Sequence, residues 1–139
     1  MRVFVAKDLR ASLGPAAQDL VNDFKEWKAL PDECDHFRFG RLTPERIPPI
    51  HDIDYIWHVH LAPPETDHHY SEWVRRWNHK DPRFKRARCN RTSDTLLFFT
   101  EHQGDHLLLT IGSHQSFANR RFQDAWASVA DRWVAALKK

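Results

Sequence analysis

Apolar and polar positions change rhythm several times along this chain, and each rhythm predicts an element. Residues 52–62 (Asp-Ile-Asp-Tyr-Ile-Trp-His-Val-His-Leu-Ala) alternate with a period of two. Ile53, Tyr55, Trp57, Val59 and Leu61 fall on one side, and Asp54, Ile56, His58 and His60 on the other. That is the period of a strand with one face in a core and one face open. On the open face His58 and His60 stand side by side, roughly 7 Å apart at about 3.4 Å rise per residue. Residues 96–100 and 106–111 are near-continuous apolar runs with Gln103-Gly104 between them, which predicts a β-hairpin of central strands. A first short strand is expected at residues 2–6.

Elsewhere the period is helical. Leu13, Ala17, Leu20, Val21, Phe24 and Trp27 form a stripe that opens at Gly14-Pro15 and stops near Leu30-Pro31. Ala118, Phe122, Ala125, Trp126, Val129, Trp133 and Leu137 form a second stripe, which predicts one helix over 117–136. A shorter helix is expected within 65–78, with Tyr70, Trp73 and Trp77 on one side. Residues 31–50 contain Pro31, Gly40, Pro44, Pro48 and Pro49 and read as an irregular loop. The expected fold is α+β: a mostly antiparallel sheet packed with an N-terminal and a C-terminal helix. One sheet face is expected to be free to hold a ligand.

Composition narrows this picture. At 139 residues the chain is read as one domain with a real core. It has no long apolar run, and no signal peptide is expected from its first residues. Cys34 and Cys89 are far apart and lack metal spacing, so both thiols are expected to be free in a reducing cytosol. A cytoplasmic location without a membrane partner follows from these expectations.

The charge is unevenly spread. Residues 75–91 carry eight Lys or Arg against Asp81 alone, so this stretch holds +7 of a total of +2 and the remainder is net −5. Clustered cations with Trp77 and Phe84 among them suit a phosphate backbone with bases to stack. The bland alternatives are a solvated loop or a patch that meets an acidic protein.

Several short pieces then occur in a telling order: Met-Arg-Val-Phe at the start, Leu30-Pro31-Asp32, Phe39-Gly40-Arg41, the strand His58-Val59-His60-Leu61-Ala62, Arg91-Thr92-Ser93-Asp94, the apolar hairpin, and His114 after it. In this order and spacing the chain resembles the YafO family, bacterial type II toxins of the RelE-like, ribosome-associated endoribonuclease class. The resemblance implies a RelE-like fold, binding in the ribosome and cleavage of translated mRNA. It also implies inhibition by a cognate antitoxin, typically acidic and DNA-binding, and chemistry that needs no metal or other cofactor.

The chemistry is also legible from the residues. Metal-free RNA cleavage needs a base for the 2′-OH, charge stabilisation at phosphorus and an acid for the leaving 5′-oxygen. Imidazole serves the proton transfers, and the planar fork of Arg suits two phosphoryl oxygens. The candidates are His58, His60 and His114 for acid–base work and Arg91 as the phosphate clamp. Lys80, Arg83, Lys85, Arg86, Arg88, Arg120 and Arg121 are the candidates for holding RNA. Which histidine is the base stays open. One rival reading is a metal-binding hydrolase, in which His58 and His60 gain a third ligand from Glu65, His68 or His114. Another is a non-catalytic RNA- or partner-binding domain. Stoichiometric zinc, with activity lost on chelation, would favour the first rival. A neighbouring gene for a small acidic DNA-binding protein would favour the toxin.

Overall fold

The apolar runs of the hairpin need cover on both faces, and the computed structural model, which describes residues 1–79 and 81–139, provides it. The strands are β1 (Val3–Val5), β2 (Phe39–Arg46), β3 (Tyr55–Leu61), β4 (Leu96–His102) and β5 (Asp105–Gly112). They form one sheet in the order β1-β5-β4-β3-β2. β1 runs parallel to β5, and the other neighbours pair antiparallel. The helices are α1 (Lys7–Leu13), α2 (Ala16–Ala29), α3 (Tyr70–Trp77), α4 (Lys85–Cys89), α5 (His114–Ala118) and α6 (Arg120–Leu137). The fold is α+β with a mostly antiparallel sheet and helices at both ends, as the periodicities require.

Each sheet face has its own core. Leu20, Val21, Phe24 and Trp27 of α2 pack with Phe39, Val59, Leu61, Leu97, Phe99 and Leu108. Ala127, Ala130 and Val134 of α6, with Phe117 of α5, pack with Ile56, Leu96, Phe98, Leu107 and Leu109. The expectation of a free sheet face is thereby corrected. The alternation in β3 is real, but its Ile56-His58-His60 face lies beneath the C-terminal helices, because the stripe of α6 needs an apolar partner. The turn of the hairpin is as expected. Gln103 and Gly104 both take positive φ, 51° and 82°, which matches the twist of a two-residue hairpin turn.

Three further expectations change. Residues 39–46 form β2 rather than loop, and the prolines mislead because β2 is an edge strand, where Pro44 beside Trp57 need not donate to a second neighbour. The C-terminal helix is divided at Asn119, whose side chain accepts from the Arg121 N–H at 2.9 Å and so caps α6. The two cysteines are not free: a disulfide joins Cys34 to Cys89. Their 55-residue separation gives no hint that α4 docks on the turn at Glu33–Asp35. Among the described residues no helix is long and apolar enough to cross a membrane.

Candidate functional site

Register decides which histidines meet. His58 lies opposite Phe98 and His60 opposite Leu96, while Leu96 lies opposite Gly112 at the end of β5. The C-terminal ends of β3 and β5 therefore share one end of the sheet, and α5 starts there with His114. The ring centroids are 5.9 Å apart for His58–His60, 5.6 Å for His58–His114 and 5.0 Å for His60–His114. One nitrogen from each ring lies within 4.8 Å of the other two. His58 and His60 are buried, whereas His114 is exposed. An open pocket of about 360 Å³, lined by Asp94, Ser113, His114 and Gln115, adjoins the cluster.

The buried pair is held differently at each ring. His60 Nδ1 lies 2.8 Å from the carbonyl oxygen of Ser93 and 2.9 Å from its backbone nitrogen. The Ser93 hydroxyl donates to the Leu61 carbonyl at 2.7 Å, with the Thr95 carbonyl 3.1 Å away, which fixes that backbone. His58 Nδ1 is buried without a hydrogen-bond partner among the described residues. Burial, reinforced by the neighbouring His60, His114 and Arg41, pulls the pKa of His58 down to about 4. Burial also takes His60 to about 4, against the Ser93 hydrogen bond and Asp94, with His114 and Arg41 pulling further down.

Stability is therefore expected to depend on pH. Burial likewise lowers His36 and His106. An unfolded histidine titrates near 6.5, so above that pH both states are neutral and nothing is lost. As pH falls below 6.5 the unfolded chain takes up protons first, and stability drains until the folded rings protonate near pH 4. Each unit of separation is worth at most about 1.4 kcal/mol. Urea midpoints measured in EDTA are expected to drop clearly between pH 7.5 and pH 5. Equal midpoints would contradict the buried neutral histidines.

Arg91 sits elsewhere and does something else. It is fully buried. Its Nε donates to the Arg88 carbonyl at 2.8 Å, Nη1 to Phe37 at 2.7 Å, and Nη2 to His36 and Phe39 at 2.8 Å each. The guanidinium carbon lies 4.7 Å from the Trp73 ring and 4.8 Å from Trp77. Gly40 closes this knot, because a Cβ there would collide with the Arg91 carbonyl oxygen and the Trp73 ring. The phosphate-clamp role is thus corrected: a guanidinium spent on four carbonyls between two indoles has no face for substrate.

The RNA-binding candidates divide in the same way. Arg88 is buried, donating to the His79 carbonyl at 2.7 Å and pairing with Asp35 at 3.1 Å, so it does not present its charge at the surface. Lys85 is exposed but pairs with Asp32 at 2.7 Å, and Arg83 pairs with Asp81 at 2.8 Å. Arg86, Arg120 and Arg121 are exposed. Lys80 lies outside the described residues, as does the Phe84 side chain. Of the possible third ligands, only His114 joins the pair; His68 groups with Asp67 and His69, and Glu65 is exposed before α3. Ser93 and Arg41 also belong to this neighbourhood; both lie in the short pieces that carry the family resemblance, but neither is among the expected site residues. Arg41 becomes visible only once residues 39–46 are recognised as a strand beside β3.

A small α+β protein with a histidine cluster at the sheet end and exposed cations is the class these features define. A protein-family model described as Toxin YafO, type II toxin-antitoxin system, matches residues 23–135. The chain therefore belongs to the YafO toxin family, and that membership implies a cognate antitoxin. No curated protein and no solved structure matched the chain.

Proposed function

We propose that this toxin acts as a ribosome-associated endoribonuclease that cleaves translated mRNA without a metal. The ribose 2′-OH attacks the adjacent phosphorus, and the 5′-oxygen leaves. The observation that carries this reading is the convergence of His58, His60 and His114, with nitrogens within 4.8 Å, at an open pocket. An acid and a base on either side of one phosphodiester are what the reaction requires. His114 is the exposed member and meets the substrate. His60, held by Ser93, lies beside it and orients or relays the proton. With Arg91 withdrawn, the exposed Arg41 takes the phosphate role, since its charge is felt by both buried histidines. The cognate antitoxin, acidic and DNA-binding in this reading, matches the cationic surface.

Expression without antitoxin is expected to stop growth and deplete full-length mRNA. Normal growth with folded, soluble toxin accumulating would defeat the reading.

Binding and chemistry should separate by position. Arg86→Ala, Arg120→Ala and Arg121→Ala are expected to weaken RNA binding. Each should also reduce its logarithmic salt slope by about 0.7–0.9 for every phosphate left without its cation. Arg88→Ala is expected to lower stability and leave the slope alone. Binding to a ribosome-bound message across a salt series checks this, and a slope change confined to Arg88→Ala would reverse the assignment.

A further inference from the structure

We propose that His58, His60 and His114 form a site for one divalent transition ion of the zinc class, and that filling it switches off their acid–base chemistry. The switching half rests on the nuclease reading above; the site itself does not.

Three imidazole nitrogens with no carboxylate among them suit zinc, cobalt, nickel or copper rather than magnesium or calcium. Tetrahedral zinc, with bonds of about 2.0–2.1 Å, places its ligand nitrogens roughly 3.3 Å apart. The three nitrogens here lie within 4.8 Å of one another, so the cluster must close by roughly 1.5 Å at most. His58 and His60 are fixed two residues apart on β3. His114 is exposed at the first residue of α5 and supplies the movement.

Two observations besides the spacing bear on this trio. His60 Nδ1 lies 2.8 Å from the Ser93 carbonyl oxygen. A metal-bound histidine characteristically gives one nitrogen to the ion and donates the other N–H to a backbone carbonyl, which fixes the tautomer. With its Nδ1–H donated to Ser93, Nε2 of His60 presents its lone pair; with Nδ1 accepting the Ser93 N–H at 2.9 Å, Nε2 carries the proton and releases it on binding the ion. The second observation is His58 Nδ1, a ring nitrogen with no hydrogen-bond partner among the described residues on a side chain only 8% exposed. Buried polar atoms are nearly always satisfied, and a ring nitrogen left without a partner is free to serve as a ligand. His114 also lines the pocket with Asp94, Ser113 and Gln115, so the exposed side of the cluster is open to water or substrate. Two other groupings are weaker: Asp23 near Glu26 and His36 is already paired with Arg38 at 2.6 Å, and Asp67 near His68 and His69 accepts the His69 N–H at 2.8 Å.

The inhibitory effect follows from electron pairs. An imidazole nitrogen whose lone pair is bound to a metal accepts no proton from a 2′-OH. No redox change is involved, and chelation returns the lone pair.

The test uses untagged full-length toxin stripped with EDTA. Cobalt(II) titration is expected to give one equivalent per chain with the visible bands of a tetrahedral nitrogen site, displaced by zinc and abolished in His114→Ala. Zinc is expected to slow mRNA cleavage on ribosomes at least tenfold, and a zinc-selective chelator that spares the ribosomes' magnesium to restore it. No cobalt spectrum, or one that survives His114→Ala, overturns the site. A stripped enzyme that is inactive until zinc is added overturns the switch and makes the ion a catalyst. If the protein has no nuclease activity with or without metal, the nuclease reading fails along with the switch, while the cobalt titration still decides the site.

Discussion

Arg91→Ala is expected to cost on the order of 3–5 kcal/mol of stability, the usual loss when one member of a buried charged network is removed. Four backbone carbonyls lose their donor at once, and two indole faces lose the cation between them. Those carbonyls belong to residues 36, 37, 39 and 88, so the damage reaches both the entry to β2 and the end of α4. A small domain has a total stability of about 5–15 kcal/mol, so much of the margin would go. Arg91→Lys should recover little, because an ammonium lacks the planar fork that reaches several carbonyls together. Urea unfolding measures the effect. An Arg91→Ala variant with the wild-type midpoint and a slowed cleavage step would restore the clamp role and contradict the buried knot.

Arg91 marks a place where sequence stops being informative. A position between a basic run and a core strand is rigidly held, and that much the pattern implies. Nothing in the local pattern distinguishes a guanidinium that faces solvent from one turned inward onto carbonyls. Trp73 and Trp77, four residues apart on α3, are the available sign, since such a pair presents two indoles from one helix face. The histidine pair is legible because a strand's period is short and strict. That His114 meets the pair depends on the register of β4 with β5, which the hairpin suggests but does not state. The prolines hide β2, since an edge strand tolerates what a central strand does not. Arg41 is hidden along with it. The cover over the histidine face is implied by the stripe of α6, yet the stripe alone names no partner.

His114→Ala is the second large effect, and it falls on chemistry rather than fold. The side chain is exposed at the start of a five-residue helix, so its removal should barely move the urea midpoint. Loss of a positioned acid or base typically slows the reaction about 10²–10⁴-fold. Replacing His58 or His60 is less clean, because each fills space beside Phe98 or Leu96 and its removal disturbs the core.

The most direct measurement is therefore single-turnover cleavage of a translated mRNA at saturating ribosomes in magnesium buffer, with EDTA-stripped wild-type toxin and His114→Ala side by side. The account predicts wild-type fragments ending in 2′,3′-cyclic phosphate, and a saturated rate for His114→Ala lower by about 10²-fold or more with binding unchanged. Intact mRNA with the wild-type protein, or equal saturated rates for the two proteins, would contradict it.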